Sequence, residues 1–113
     1  MKIRAHNKHV MISPQKLRLV CDEVRGMDAR QADVLLKFLP QKGAQIIRKT
    51  LASAMANAEE NFEANPSDLY IEQIYANEGP RLRRFKAGAR GRYKPRVRRT
   101  AHLTVVLAQR EVE

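Results

Sequence analysis

The sequence predicts an α+β fold: three helices packed on a small antiparallel sheet, with a long basic β-hairpin protruding from it. Three observations carry this. Apolar residues recur at helical spacing in three segments between residues 13 and 62. Stretches rich in β-branched and aromatic residues lie on either side of them. Between the last two such stretches, residues 80–100 hold ten basic residues and no acidic one. The rest of the chain is balanced, 12 basic against 12 acidic residues, so the formal charge of +10 is confined to about one fifth of the sequence.

At the amino end, Ile3, Val10, Met11 and Ile12 alternate loosely with Arg4, His6, Lys8 and His9, which predicts a strand leading into the first helix. Ser13-Pro14 reads as N-cap and first helical residue, although Lys16 stands where a capping box wants Glu or Gln. Leu17, Val20, Cys21 and Val24 share one face, Gly26 supplies the stop, and Lys16, Arg18 and Arg25 point elsewhere. A second helix runs from Asp28 or Ala29 to Leu39, with Ala32, Leu35, Leu36 and Leu39 inward and Pro40 ending it. The third runs from about Lys42 to Phe62. Its stripe of Ala44, Ile47, Leu51, Ala54, Ala58 and Phe62 is narrow enough for close packing.

Asn65-Pro66-Ser67-Asp68 is a loop by its turn chemistry. In the strand over 69–77, the inward set Leu69, Ile71 and Ile74 changes parity. Either a bulge or a different choice of face accounts for that. The last strand carries Leu103, Val105 and Leu107 between His102, Thr104 and Val106. Both of its faces are largely apolar.

The basic stretch is a built arm, not a tail. Strand-like segments flank it, and Gly88 and Gly91 offer the positive φ of a hairpin turn. Leu82 with Val97 and Phe85 with Tyr93 are placed almost symmetrically about those glycines, which predicts their pairing across two strands. Pro95 is tolerable because both strands of a ribbon are edges. Each leg, at ~3.3 Å per residue, reaches on the order of 30 Å. Isolated hairpins are marginal in water and like charges repel, so the arm is expected to order on a polyanion. Most of its cations are Arg, which grips phosphate bidentately and stacks on bases. The expected binding residues are Arg81, Arg83, Arg84, Lys86, Arg90, Arg92, Lys94, Arg96, Arg98 and Arg99. Lys16, Arg18, Arg48 and Lys49 are candidates to extend the footprint over the body.

The 113 residues suit a single domain, with residues 1–79 and 101–113 as the body and 80–100 as the arm. No apolar run approaches the ~20 residues of a membrane span, the amino end lacks the pattern of a secretory signal, and a lone Cys21 fits a reducing cytosol. No nucleophile motif, phosphate-cradling glycine loop or metal-ligand spacing is present, so neither an enzyme nor a cofactor is expected. His6, His9 and His102 lack partners for a metal site. Glu59, Glu60 and Glu63 read as a solvated helix face. Phe85 and Tyr93 either stack on bases or cover each other.

With these pieces placed, the sequence resembles the bacterial large-ribosomal-subunit proteins of the L-twenty-two family over nearly its whole length. The resemblance rests on Ser13-Pro14-Gln15-Lys16-Leu17-Arg18-Leu19-Val20, Arg25-Gly26, Ser53-Ala54 with Ala56-Asn57-Ala58-Glu59, Glu78-Gly79-Pro80, Ala89-Arg90-Gly91-Arg92, and Arg99-Thr100 with His102 and Thr104-Val105-Val106. It implies a globular part near the exit of the nascent-chain tunnel and an arm threading large-subunit rRNA. The arm's tip, Ala87, Gly88, Ala89, Arg90, Gly91 and Arg92, would line the tunnel and meet the nascent polypeptide. It further implies early action in subunit assembly and neighbouring ribosomal proteins, among them the L-four family at the tunnel constriction, on a cytoplasmic ribosome. Neither a membrane nor a homo-oligomer is expected. Family tips usually carry a basic residue where this chain has Gly88.

The rival from another class is an architectural DNA-binding protein with a basic β-ribbon. That reading expects a dimer and an apolar wedge at the tip, where this chain has Ala, Gly and Arg. A membrane-surface module would need a basic amphipathic helix, and the basic stretch has no helical pattern.

Overall fold

The computed structural model describes residues 2–80, 82–87 and 93–109. Strand β1 (Lys2–Val10) leads to helices α1 (Pro14–Val24), α2 (Ala29–Phe38) and α3 (Lys42–Phe62), followed by a 3₁₀ turn at Pro66–Asp68. Then come β2 (Leu69–Glu78), β3 (Leu82–Ala87), β4 (Tyr93–Arg98) and β5 (Ala101–Gln109). One antiparallel sheet has the order β1-β5-β2, and β3 pairs with β4 in a second. The three helices pack on the three-stranded sheet, as the apolar patterning predicts. The radius of gyration is 17.2 Å and the extents are 70 × 26 × 17 Å, whereas a compact domain of this size has a radius of about 13 Å.

Helix α1 starts where Ser13 Oγ accepts from the Lys16 N–H at 3.4 Å, and Gly26 leaves it with φ +82. Leu17, Val20, Cys21 and Val24 are buried against Ile47, Leu51, Ile71 and Leu103 in one core. Small residues set the helix spacing. A Cβ on Gly43 would stand 3.3 Å from Leu17 Cδ1 and 3.6 Å from Ile12 Cδ1, so α3 begins hard against α1. From there α3 ends beside the 3₁₀ turn, at the opposite end of the sheet. One inward expectation needs correcting. Phe62 is 45% exposed because the chain turns away at Glu63, which takes a left-handed conformation with φ 51 and ψ 28. Leu35 and Leu39 pack, partly buried, against the core, and Ala29 joins Ala32 and Leu36 inside.

The parity change in β2 is a bulge. Its register against β5 shifts between Ile71 and Gln73, which keeps Leu69, Ile71, Ile74 and Ala76 all inward. Central strand β5 is buried on both faces: Thr104 and Val106, on the face away from the helices, are only 5% and 2% exposed. Long side chains of the flanking strands roof them, as where His6 Nδ1 meets Thr104 Oγ1 at 3.1 Å. Lys2 reaches Glu72 at 2.9 Å over the same face.

Candidate nucleic-acid interface

The arm leaves the body through a fixed neck. The Gly79 N–H donates to the Thr100 carbonyl at 2.9 Å, and the Thr100 hydroxyl donates to the Pro80 carbonyl at 2.6 Å. Thr100 is 1% exposed. Arg99 lies 3.5 Å from Glu78, and its buried Nε finds no hydrogen-bond partner among the described residues. Sequence reading treated Arg99 as one cation among ten, but its position makes it part of the neck.

Beyond the neck, β3 and β4 run antiparallel. Leu82 pairs with Arg98, Arg83 with Val97, Arg84 with Arg96, Phe85 with Pro95, Lys86 with Lys94, and Ala87 with Tyr93. The expected pairs are thus displaced: Leu82 does not face Val97, and Phe85 does not face Tyr93. Register is strongly specified only where one face is buried, and a strand pair dominated by cations offers no such face. The ribbon instead sets Arg84 opposite Arg96 and Lys86 opposite Lys94, and like charges directly opposed destabilise a strand pair. Arg81, Arg90, Arg92 and the tip residues Gly88, Ala89 and Gly91 lie outside the described residues, as does the expected glycine turn.

The body brings two further expected residues to the arm's end of the sheet. Lys16 is exposed on the first turn of α1. Arg18 has a structural task that its sequence position did not reveal: its Nε donates to the Ala76 carbonyl of β2 at 3.0 Å. The residue that caps α1 does the same, Arg25 Nη2 donating to the Ile74 carbonyl at 2.9 Å while its Nη1 holds Asp22 at 2.5 Å. The Gly26 N–H then takes the Ile71 carbonyl at 3.1 Å, and the Ile71 N–H donates to the Met27 carbonyl at 2.9 Å. Three carbonyls on the outer edge of β2, those of Ile71, Ile74 and Ala76, are thereby occupied, where an open edge would offer them to another strand. Arg18 uses only one of a guanidinium's five N–H donors there.

Arg48 and Lys49 occupy a different side, on α3. Arg48 Nε is bonded to Asp33 at 3.0 Å. Burial pushes the Cys21 thiol up to about 11, with nearby Arg25 opposing, so it is an inert core thiol. Among the described residues no cluster of His, Cys, Asp and Glu could hold a metal ion, and no helix is long and apolar enough to cross a membrane.

A cationic two-strand ribbon on a small α+β body defines a structural protein whose chemistry is charge and shape. The sequence profile described as Ribosomal protein L22p/L17e matches residues 5–108. Among similar proteins, the large ribosomal subunit protein uL22 of Thermomicrobium roseum is 49% identical over 107 residues, 95% of this chain and 91% of that protein. The uL22 of Finegoldia magna is 44% identical over 112 residues, 99% and 100% of the two chains, and that of Chloroflexus aggregans 47% over 110 residues, 97% of each. The chain belongs to the ribosomal protein L22p/L17e family. Its role is therefore structural and ribosomal, not enzymatic.

Proposed function

We propose that this chain is a constituent of the large subunit of the cytoplasmic ribosome, where the arm, residues 80–100, is its principal grip on rRNA. Arg81, Arg83, Arg84, Lys86, Arg90, Arg92, Lys94, Arg96, Arg98 and Arg99 contact phosphate and sugar, with Lys16 and Arg18 extending the contact at the arm's base. The tip, Ala87–Arg92, lines the nascent-chain tunnel near an L-four-family neighbour, and the body sits near the polypeptide exit. Such contacts fix position without reading sequence, so selectivity comes from the fit of arm and body to folded RNA during early assembly.

The observation that carries this reading is the cross-ribbon register. Opposed pairs Arg84/Arg96 and Lys86/Lys94 work against the ribbon until a polyanion neutralises them. The test is a salt titration of binding to folded large-subunit rRNA and to duplex DNA of matched charge, using the intact protein and one whose residues 82–98 are replaced by Asn-Gly. RNA-selective binding that loses much of its affinity and salt slope with the arm is the expected result. Equal or tighter DNA binding, with bending, would establish the architectural alternative instead.

A further inference from the structure

Among the described residues, Met11, Leu19, Val34, Phe38, Phe62 and Tyr75 are the large apolar side chains left exposed. Single apolar residues at a surface are ordinary. Val34 and Phe38 are not single: they stand four residues apart on α2, 57% and 76% exposed. That spacing puts their Cβ atoms about 5–6 Å apart on one face of the helix. The helix packs on the body through its other side, where Ala29, Ala32 and Leu36 are buried.

Folding of this chain does not account for the pair. Valine is β-branched and lowers helix propensity, so an exposed Val34 costs α2 a little and gains no burial in return. Phe38 leaves most of its ring in water, with the Lys37 ammonium 6.0 Å from the ring centroid. An apolar pair of this kind recovers its cost when something covers it.

The charge around the pair says what would cover it. At about 100° per residue, Arg30 and Lys37 both fall on the same side of Val34, some 40° and 60° round the helix from it. Both are exposed, and neither forms an ion pair among the described residues. The acids of this segment do not offset them on that face: Arg48 holds Asp33 at 3.0 Å, and Asp28 stands at the N-cap. Beyond the Asp33–Arg48 pair a hollow of about 620 Å³ opens toward α3, with Ile46 and Ala52 in its wall. The face is therefore an apolar strip with a cationic margin and a recess beside it.

We propose that this face of α2 docks an acidic, amphipathic segment of a neighbouring protein. The segment's apolar side chains cover Val34 and Phe38, and its carboxylates meet Arg30 and Lys37, the helix-face mode of peptide recognition. An RNA strand could pair with the cations and stack on Phe38, but Val34 offers it neither a donor nor a π face. A second copy of this chain would set Arg30 and Lys37 against their own like. The proposal rests on the reading of the chain as a large-subunit constituent for where the neighbour is met, and owes nothing to the arm.

The test places the photo-cross-linker p-benzoylphenylalanine at residue 38, at residue 34 and, as a control, at exposed residue 19 of the full-length protein. Large subunits containing each variant are purified and irradiated, and the cross-linked partner is sequenced. Positions 34 and 38 are expected to capture the same segment of one protein, with carboxylates interleaved among apolar residues, and position 19 is expected not to. Adding Arg30→Glu with Lys37→Glu should lower the yield from position 38 about tenfold through like-charge repulsion. An undiminished yield in that variant would overturn the acidic partner. Cross-links to rRNA, to a basic segment or to a second copy, or none from subunits that contain the protein, would overturn the docking face. Failure of even the unmodified chain to enter large subunits would instead defeat the ribosomal placement on which the proposal rests.

Discussion

The Thr100 hydroxyl, donating to the Pro80 carbonyl at 2.6 Å, stands 2.6 Å from where a Cβ on Gly79 would lie. The two strands leaving the body are therefore locked together by a contact that admits no side chain at residue 79. Gly79→Ala must displace the Thr100 hydroxyl or the backbone, and overpacking of this kind costs about 1–3 kcal/mol. Thr100→Val keeps the volume and removes the donor, at about 1 kcal/mol. Thermal unfolding should rank Gly79→Ala as the more damaging, and rRNA affinity should fall with it as the arm loses its aim. Equal stability for Gly79→Ala and wild type would show that the neck is loose.

Arg84→Glu sets opposite charges at directly opposed ribbon positions, where wild type has Arg84 across from Arg96. Hydrogen-exchange protection of the β3 and β4 amides should rise in the free protein. The affinity for rRNA should nevertheless fall, with the salt slope lower by about 1. Only a ribbon whose like charges serve a polyanion moves these two readouts in opposite directions.

Arg18 and Arg25 close the β2 edge through the carbonyls of Ala76 and Ile74. Each replacement by Ala should lower the urea unfolding free energy by about 0.5–1.5 kcal/mol, since water can partly replace the lost donor. The double variant should also self-associate more at high concentration, read by light scattering, because the edge is then open.

Burial raises the Cys21 thiol from its ordinary 9.0 to about 11. The unfolded chain releases this proton first, so the contribution is fully present below about pH 9 and is lost as pH rises toward 11. The difference in unfolding free energy between wild type and Cys21→Ala should therefore shrink across that window. A constant difference would mean the thiol ionises as freely in the fold as outside it.

Glu63 holds a left-handed conformation at the end of α3, which disfavours a side chain, and it adds a negative charge at the negative end of the helix dipole. Glu63→Gly should raise the unfolding free energy measured in urea by about 0.5 kcal/mol after the added freedom of the unfolded chain is counted.

Much of this was legible in the sequence because burial leaves a periodic trace. The faces of α1 and α3, the Ser13 cap, the Gly26 stop and the parity break in β2 each follow from residues a few positions apart. What stayed hidden was long-range or unpatterned. Arg18 and Arg25 look like solvent-facing cations until β2 is laid beside α1, some 50 residues away in the chain. The ribbon register escaped because symmetry about two glycines is a weaker guide than a buried face.

The arm, with ten basic residues and no acidic one, joins a charge-balanced body at one end of its sheet, through the neck of Gly79 and Thr100. The molecule's centre of charge therefore lies on the arm's side of its centre of mass. Near a polyanion such an object would feel a torque as well as a pull. Screening would confine both to roughly the last 8–10 Å of approach, where a tumbling molecule would turn until the ribbon led.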